Sequence, residues 1–374
     1  MKFPALLPIS AVLPDLGSYD TIIDVRSPSE FAEDHIPGAI NCPVLDDAER
    51  AEIGTLYKQA SPFDAKKKGA ALVARNIGRH LENTLLDKPR DWKPLVYCWR
   101  GGNRSGAMAH ILAKVGWQAV QLDGGYKEYR RQVNQALAEL PARFRFIVVC
   151  GTTGSGKSRL LQTLARHGAQ VLDLEQLAAH RGSVLGHLPS EPQPSQKMFE
   201  SRMWHALQGF DPLRPVYVES ESKKVGNLRV PEALMEKIRA SECVSVQLSQ
   251  ADRVALLMED YVHFVEAPTA LNARLDCLAM LYGRDKISHW QQLALDGQML
   301  PLVEELLTDH YDPAYNKSIR RNFVRFGDAM VLEIAGISAR AFDDAAAALL
   351  AADQACPDPG QREGQDGSSQ KAPI

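Results

Sequence analysis

The sequence predicts two consecutive α/β domains, each built on a parallel sheet, the second running out into a helical C-terminal part. Three observations predict it. The chain has 374 residues, more than one ordinary core accommodates. Short apolar runs alternate with amphipathic helical stretches in both halves, as strand–helix–strand units require. Each half also carries one glycine-rich loop between an apolar run and a helix start. Hydrophobic residues make up 45% and charged ones 24%, the profile of a soluble globular chain.

In the first half, Thr21–Val25 reads as a buried strand, and Arg26-Ser-Pro-Ser-Glu30 opens a helix. His35-Ile-Pro-Gly-Ala39 is a turn into a strand at Ala39–Asn41. From about 46 to 91 the chain turns helical and charged, an insertion whose apolar face is Ala70, Val73, Ile77 and Leu81. Pro94–Tyr97 is a buried strand ending at Cys98. The loop Trp99–Arg104 leads into a helix faced by Ala107, Met108, Ile111, Leu112 and Val115 and stopped by Gly116. Trp117–Leu122 is a further strand, closed by Asp123-Gly-Gly125. The first domain therefore covers 1–136, and 137–143, with Pro141, is the expected linker.

The second domain spans 144–352. It opens with strand Phe144–Cys150, a glycine loop and a helix Ser158–His167 ended by Gly168. Val171–Asp173, Pro215–Glu219 and Val244–Leu248 are the remaining strand candidates, and the chain beyond about Asp252 is mainly helical. Residues 353–374, rich in Pro, Gly, Gln, Asp and Ser, are expected to be a disordered tail.

Lys and Arg number 43 against 46 Asp and Glu, so a nucleic-acid partner would need a local basic patch. Candidates are Arg181 beside His180, Lys223 and Lys224 with Arg229, and the stretch from Lys317 to Arg325. A solvated helix face explains such clusters equally well. Six cysteines lack CxxC or metal-ligand spacing, which suits reduced thiols. The proline-broken start is a poor signal peptide, and no apolar run is long enough to span a bilayer, so no membrane and a cytoplasmic location are expected.

Two segments carry chemistry. In Cys98-Trp-Arg100-Gly101-Gly102-Asn-Arg104-Ser105, paired glycines let backbone N–H groups converge above the thiol. The following helix N-terminus and the guanidinium groups of Arg100 and Arg104 add positive charge. Such an environment favours a thiolate and holds an anion beside it. A buried structural cysteine is the commoner fate of a lone Cys, and these neighbours argue against it. The cysteine-phosphatase spacing Cys-x5-Arg-Ser is satisfied too. The second segment, Gly151-Thr152-Thr153-Gly154-Ser155-Gly156-Lys157-Ser158, matches G-x4-G-K-[ST]. Its amides and Lys157 would cradle a diphosphate, and Ser158 could ligate Mg²⁺. The acids needed for nucleotide hydrolysis are less distinct. Asp173, Glu219 and Glu221 are metal-binding candidates or solvated strand-end carboxylates.

Asp24-Val-Arg26, Glu30-Phe31, His35-Ile-Pro-Gly-Ala39 and Leu122-Asp-Gly-Gly125 resemble the opening and closing segments of the rhodanese family, over residues 12 to 135. That resemblance favours a chalcogen carrier over a phosphatase. With the P-loop following, and with Asp173-Leu-Glu175, His180-Arg-Gly-Ser183 and Glu219-Ser-Glu-Ser-Lys223, the chain up to about 350 resembles the tRNA 2-selenouridine synthases. The resemblance implies a rhodanese-like domain followed by a P-loop NTPase-like domain. It implies conversion of wobble 2-thiouridine in tRNA to 2-selenouridine, with selenophosphate and geranyl diphosphate as co-substrates, no tightly bound cofactor, and selenophosphate synthetase as a donor partner. Cys98 would take selenium as an S–Se adduct after the base sulfur has been geranylated. The alternative reading is a nucleotide-dependent sulfurtransferase acting on a small molecule or carrier protein. A phosphatase–kinase fusion and a non-catalytic nucleotide sensor are further alternatives.

Overall fold

The computed structural model describes residues 3–183, 186, 191–262, 264 and 268–355. Five parallel strands form the first sheet: β1 (Ala5–Leu7), β2 (Thr21–Asp24), β3 (Ala39–Asn41), β4 (Pro94–Tyr97) and β5 (Val120–Leu122). Their order is β1-β5-β4-β2-β3. β4 is central and buried at every position, which is why its sequence is an unbroken apolar run. The helix Pro28–Glu33 starts where sequence says it should, at a Ser27–Glu30 capping box. The 46–91 stretch holds two helices, Asp47–Gln59 and Pro62–His80, each with its own cap at Asp46 and Ser61. Ile77 from this pair packs into the core, with Val73 and Leu81 partly buried beside it. Ala70 is exposed, so the packed face is rotated from the expected one.

The second sheet is also parallel: β6 (Phe146–Cys150), β7 (Gln170–Leu172), β8 (Val216–Glu219), β11 (Glu242–Gln247) and β12 (Met330–Glu333), in the order β12-β11-β6-β8-β7. A small hairpin, β9 (Lys224–Val225) with β10 (Leu228–Arg229), lies outside it. The helices from Gln250–Asp260 to Met299–Leu306 gather a separate apolar core around Trp290 and Leu302. No described helix is long and apolar enough to cross a membrane.

Strands β1 and β12 were not expected, and residues 137–143 differ from a loose linker. The helix Gly125–Glu139 continues into a 3-10 turn, Leu140–Arg143, with Leu137, Leu140 and Pro141 buried. One apolar core runs through this junction from Tyr126 and Tyr129 to Phe199 and Trp204 of the second domain. The last helix, Ala339–Ala355, passes the expected start of the tail, and Asp353 pairs with Arg145. The rest of that tail, 356–374, lies outside the described residues.

Candidate active site: a cysteine loop and a phosphate loop

β4 delivers Cys98 to the C-terminal edge of the first sheet, where sites in parallel α/β sheets form. The helix Asn103–Val115 starts immediately after the loop. Cys98 is 4% exposed and lies on the loop floor. Ser105 Oγ donates to its Sγ at 3.2 Å and is itself held by Gln121 Nε2, which also binds the Gly101 and Gly102 carbonyls. Gly101 (φ +66°) and Gly125 (φ +56°) let two loops press together. Tyr126 N–H donates to the Cys98 carbonyl at 2.8 Å and Lys127 N–H to that of Trp99 at 3.0 Å. The Arg100 and Gly101 amide nitrogens fill the space a side chain at Gly125 would take.

The two arginines are placed differently from expectation. Arg100 is exposed. Arg104 Nη1 lies 2.9 Å from Glu30 Oε2, so its charge is shared with a carboxylate. Burial raises the Glu30 carboxyl, but Arg104 and Arg50 outweigh it and hold the group below its ordinary range. Beneath the loop, buried Arg26 is clamped by Asp24 and stacks 3.9 Å over the Tyr126 ring. These family-like residues thus support the loop from below.

In the second domain, central β6 leads into Gly151–Ser158 and the helix Lys157–Arg166. Gly154 and Gly156 have φ of +77° and +82°, and Ser155 N–H closes the loop onto the Thr152 carbonyl. Lys157 Nζ lies 2.7 Å from the Gly151 carbonyl, over the loop. Arg253 clamps the Thr153 carbonyl through Nη2 at 2.8 Å and is fixed by Asp312. Gly151 N–H donates to Tyr315 Oη at 2.6 Å.

A carboxylate cluster borders this loop. Ser158 Oγ donates to Glu175 Oε2 at 2.9 Å, and Glu175 N–H donates to Glu219 Oε1 at 2.7 Å. Asp173, Glu175 and Glu221 line the cleft, whereas Glu219 is buried beneath it. Burial, then the like charges of Asp173, Glu175 and Glu221, push Glu219 well above the ordinary carboxyl range. Burial and Glu175 raise Glu221 to about 8, and burial raises Asp173 to about 6. Sequence reasoning used Glu175 only as a family-like residue, yet it is the direct Ser158 partner. Its signal was its position just past a strand end. Among the described residues no three His, Cys, Asp or Glu gather closely enough to enclose a metal ion. Oxygen donors on Ser158 and Glu175 suit a Mg²⁺ that also takes ligand phosphate. Arg181 lines the cleft and faces Asp260 at 3.6 Å. Lys223 and Lys224 lie on the exposed hairpin side, away from the cleft lining.

Comparison with known proteins gives this arrangement a family. A rhodanese-like domain matches residues 12–132, and the tRNA 2-selenouridine synthase AAA domain matches residues 144–282. The tRNA 2-selenouridine synthase of Sulfurovum sp. is 31% identical over 355 residues, covering 83% of this chain and 93% of its own. The chain belongs to the tRNA 2-selenouridine synthase family. The synthase of Bdellovibrio bacteriovorus is 34% identical over 81% of this chain and 90% of its own. That of Nitrosomonas europaea is 36% identical over 67% of this chain and 68% of its own. The rhodanese match takes in β2 to β5, and the AAA-domain match opens just before β6 and takes in β7, β8 and β11.

Proposed function

We propose that the protein is a tRNA-modifying transferase that converts wobble 2-thiouridine to 2-selenouridine in two steps, one at each loop. The carrying observation is the pairing, in one family member, of a diphosphate-shaped P-loop with a cysteine loop whose thiol accepts a fixed hydroxyl donor.

In the first step the base's thiocarbonyl sulfur attacks C1 of geranyl diphosphate. A C–S bond forms, the C–O bond breaks, and diphosphate leaves with its electrons. The amides of Gly151–Ser158 and the Lys157 ammonium stabilise the charge that develops on it. Mg²⁺, held by Ser158 and Glu175, would supply further neutralisation. Alkylation turns the sulfur into a leaving group.

Selenation follows at Cys98, with selenophosphate as donor and its synthetase as the supplying partner. Selenium in selenophosphate is already at the selenide level. An S–Se adduct on Cys98 would therefore have to expel phosphorus at the phosphite level. Transfer of the phosphoryl group to the thiolate instead breaks P–Se, forms P–S and frees selenide beside the base, with no change of oxidation state. Selenide adds to C2, geranylthiol departs, and water cleaves P–S to give phosphate. Ser105 Oγ is placed to stabilise the departing Cys98 thiolate.

The test uses tRNA carrying wobble 2-thiouridine and mass analysis of its nucleosides. Cys98→Ser is expected to accumulate the S-geranylated base. Lys157→Ala is expected to fail at geranylation yet selenate tRNA geranylated beforehand. Selenouridine made by Cys98→Ser would remove Cys98 from the mechanism, and geranylation surviving in Lys157→Ala without ATP binding would remove the P-loop. Phosphite rather than phosphate in the ³¹P spectrum would restore the S–Se route.

A further inference from the structure

Beside the P-loop cleft lies a second hollow of different chemistry, walled almost wholly by apolar side chains. It opens among the helices Gln250–Asp260, Pro268–Leu275 and Met299–Leu306. Its inner wall is Met258, Leu271, Met299, Leu302, Val303 and Leu306. Thr153, Ser183, Leu257, Tyr261 and Tyr311 line both this hollow and the P-loop cleft, so the two share a mouth. The P-loop is pressed against that mouth, because a Cβ on Gly154 would come within 3.0 Å of the Leu257 side chain. Arg253 pins Thr153 there through its carbonyl.

The inner wall is poorly suited to a nucleoside. A ribose and a purine need fixed donors and acceptors, and the inner wall named above is aliphatic and thioether. An anion cradle opening into an apolar hollow suits a ligand with a phosphate head and a hydrocarbon tail. We infer that the hollow beside Leu257 and Leu302 seats the isoprenoid tail of the diphosphate whose head the P-loop holds. The inference rests on the reading of the P-loop as a prenyl diphosphate site, and it assigns that ligand's apolar half to residues 257–258, 271 and 299–306. The apolar face of the 46–91 insertion does not supply such a wall, because its Ile77 packs into the first domain's core.

Equilibrium binding to the full chain separates the two halves of the ligand. Inorganic pyrophosphate probes the head site alone, and geranyl diphosphate probes both. Wild-type protein is expected to bind geranyl diphosphate at least about 100-fold more tightly than pyrophosphate, since burying most of a ten-carbon tail suffices for that ratio. Val303→Trp, at a partly exposed wall position, should cut the ratio below about tenfold while pyrophosphate affinity stays within about twofold. Leu302→Ala enlarges the inner end and should shift preference toward farnesyl diphosphate. Retained pyrophosphate binding reports that each variant has folded. If both variants keep the wild-type ratio and chain-length preference, the hollow is not the tail site, although the P-loop reading stands. If Lys157→Ala leaves geranyl diphosphate affinity unchanged, the P-loop reading itself fails and takes the inference with it.

Discussion

At Gly125 the backbone holds φ +56°, and an alanine Cβ there would overlap the Cys98 carbonyl oxygen and the Gly101 amide nitrogen. Both are backbone atoms, so neither can swing aside. Gly125→Ala is expected to cost about 1–3 kcal/mol of stability and to displace the cysteine loop. Thermal melting and the rate of Cys98 alkylation by iodoacetamide would read the two effects, and an unchanged alkylation rate would contradict the loop-to-loop contact. Ser105→Ala removes the one side-chain donor to Cys98 Sγ among the described residues. Selenation of geranylated tRNA should slow by about 10–100-fold, the worth of a hydrogen bond to a charged group, with geranylation untouched. Equal loss of both activities would make Ser105 a folding residue. These two loops were legible in the sequence because their residues are contiguous and their glycines, cysteine and lysine have few other reasons to be adjacent. Gln121, Glu175 and Tyr315 were not, since each reaches its loop across 16, 17 or 164 residues of chain. The Arg104 ion pair was hidden for the same reason: its partner, Glu30, is 74 residues away.

The ends of β7 and β8 bring Asp173, Glu175 and Glu221 to one cleft above buried Glu219, and the crowding favours the protonated carboxyls there. Glu221 titrates at about 8 against an ordinary 4.5, and Asp173 at about 6 against 3.8, with burial the leading cause in both. Between the ordinary and the raised values the folded state binds more protons than the unfolded one, so stability falls as pH rises. In ligand-free protein these carboxyls are therefore expected to lower the melting temperature from about pH 5 to about pH 8, opposed below about pH 7 by His35 and His310, whose pKa burial lowers. Glu221→Gln should flatten the upper part of that slope and Asp173→Asn the lower part. A wild-type melting temperature that climbs from about pH 7 to about pH 8, or a Glu221→Gln slope unchanged there, would refute the assignment. At this scale the sequence read strands well where both faces are buried, as in β4, β6 and β8. It missed β12, where only Leu332 is buried, because a four-residue edge strand with one inward side chain has no periodic signature. β12 exists through its parallel pairing with β11, more than eighty residues earlier.

The two domains share more than a chain. Arg130 of the first reaches the Lys197 carbonyl at 3.0 Å and pairs with Glu200, and Lys197 Nζ lies 2.6 Å from Glu33. Between these ion pairs the Tyr129 ring meets Trp204 edge-on with centroids 5.5 Å apart, both nearly inaccessible. Composition and punctuation suggested a linker at 137–143, because Pro141 ends a helix wherever it falls. They could not register that Leu137 and Leu140 face a neighbouring domain's core, which is a property of packing between distant segments. A junction of this kind makes the fold of each sheet depend on the other. Trp204→Ala, which empties a buried aromatic site, is expected to cost about 3–5 kcal/mol. That loss should appear in both halves at once, as one calorimetric transition moved to lower temperature. Cys98 alkylation and pyrophosphate release, followed through the same melt, should then share its midpoint. Two separate transitions, with only the P-loop domain's shifted, would mean that the shared core joins the domains without coupling them, and that the loops are held in place independently.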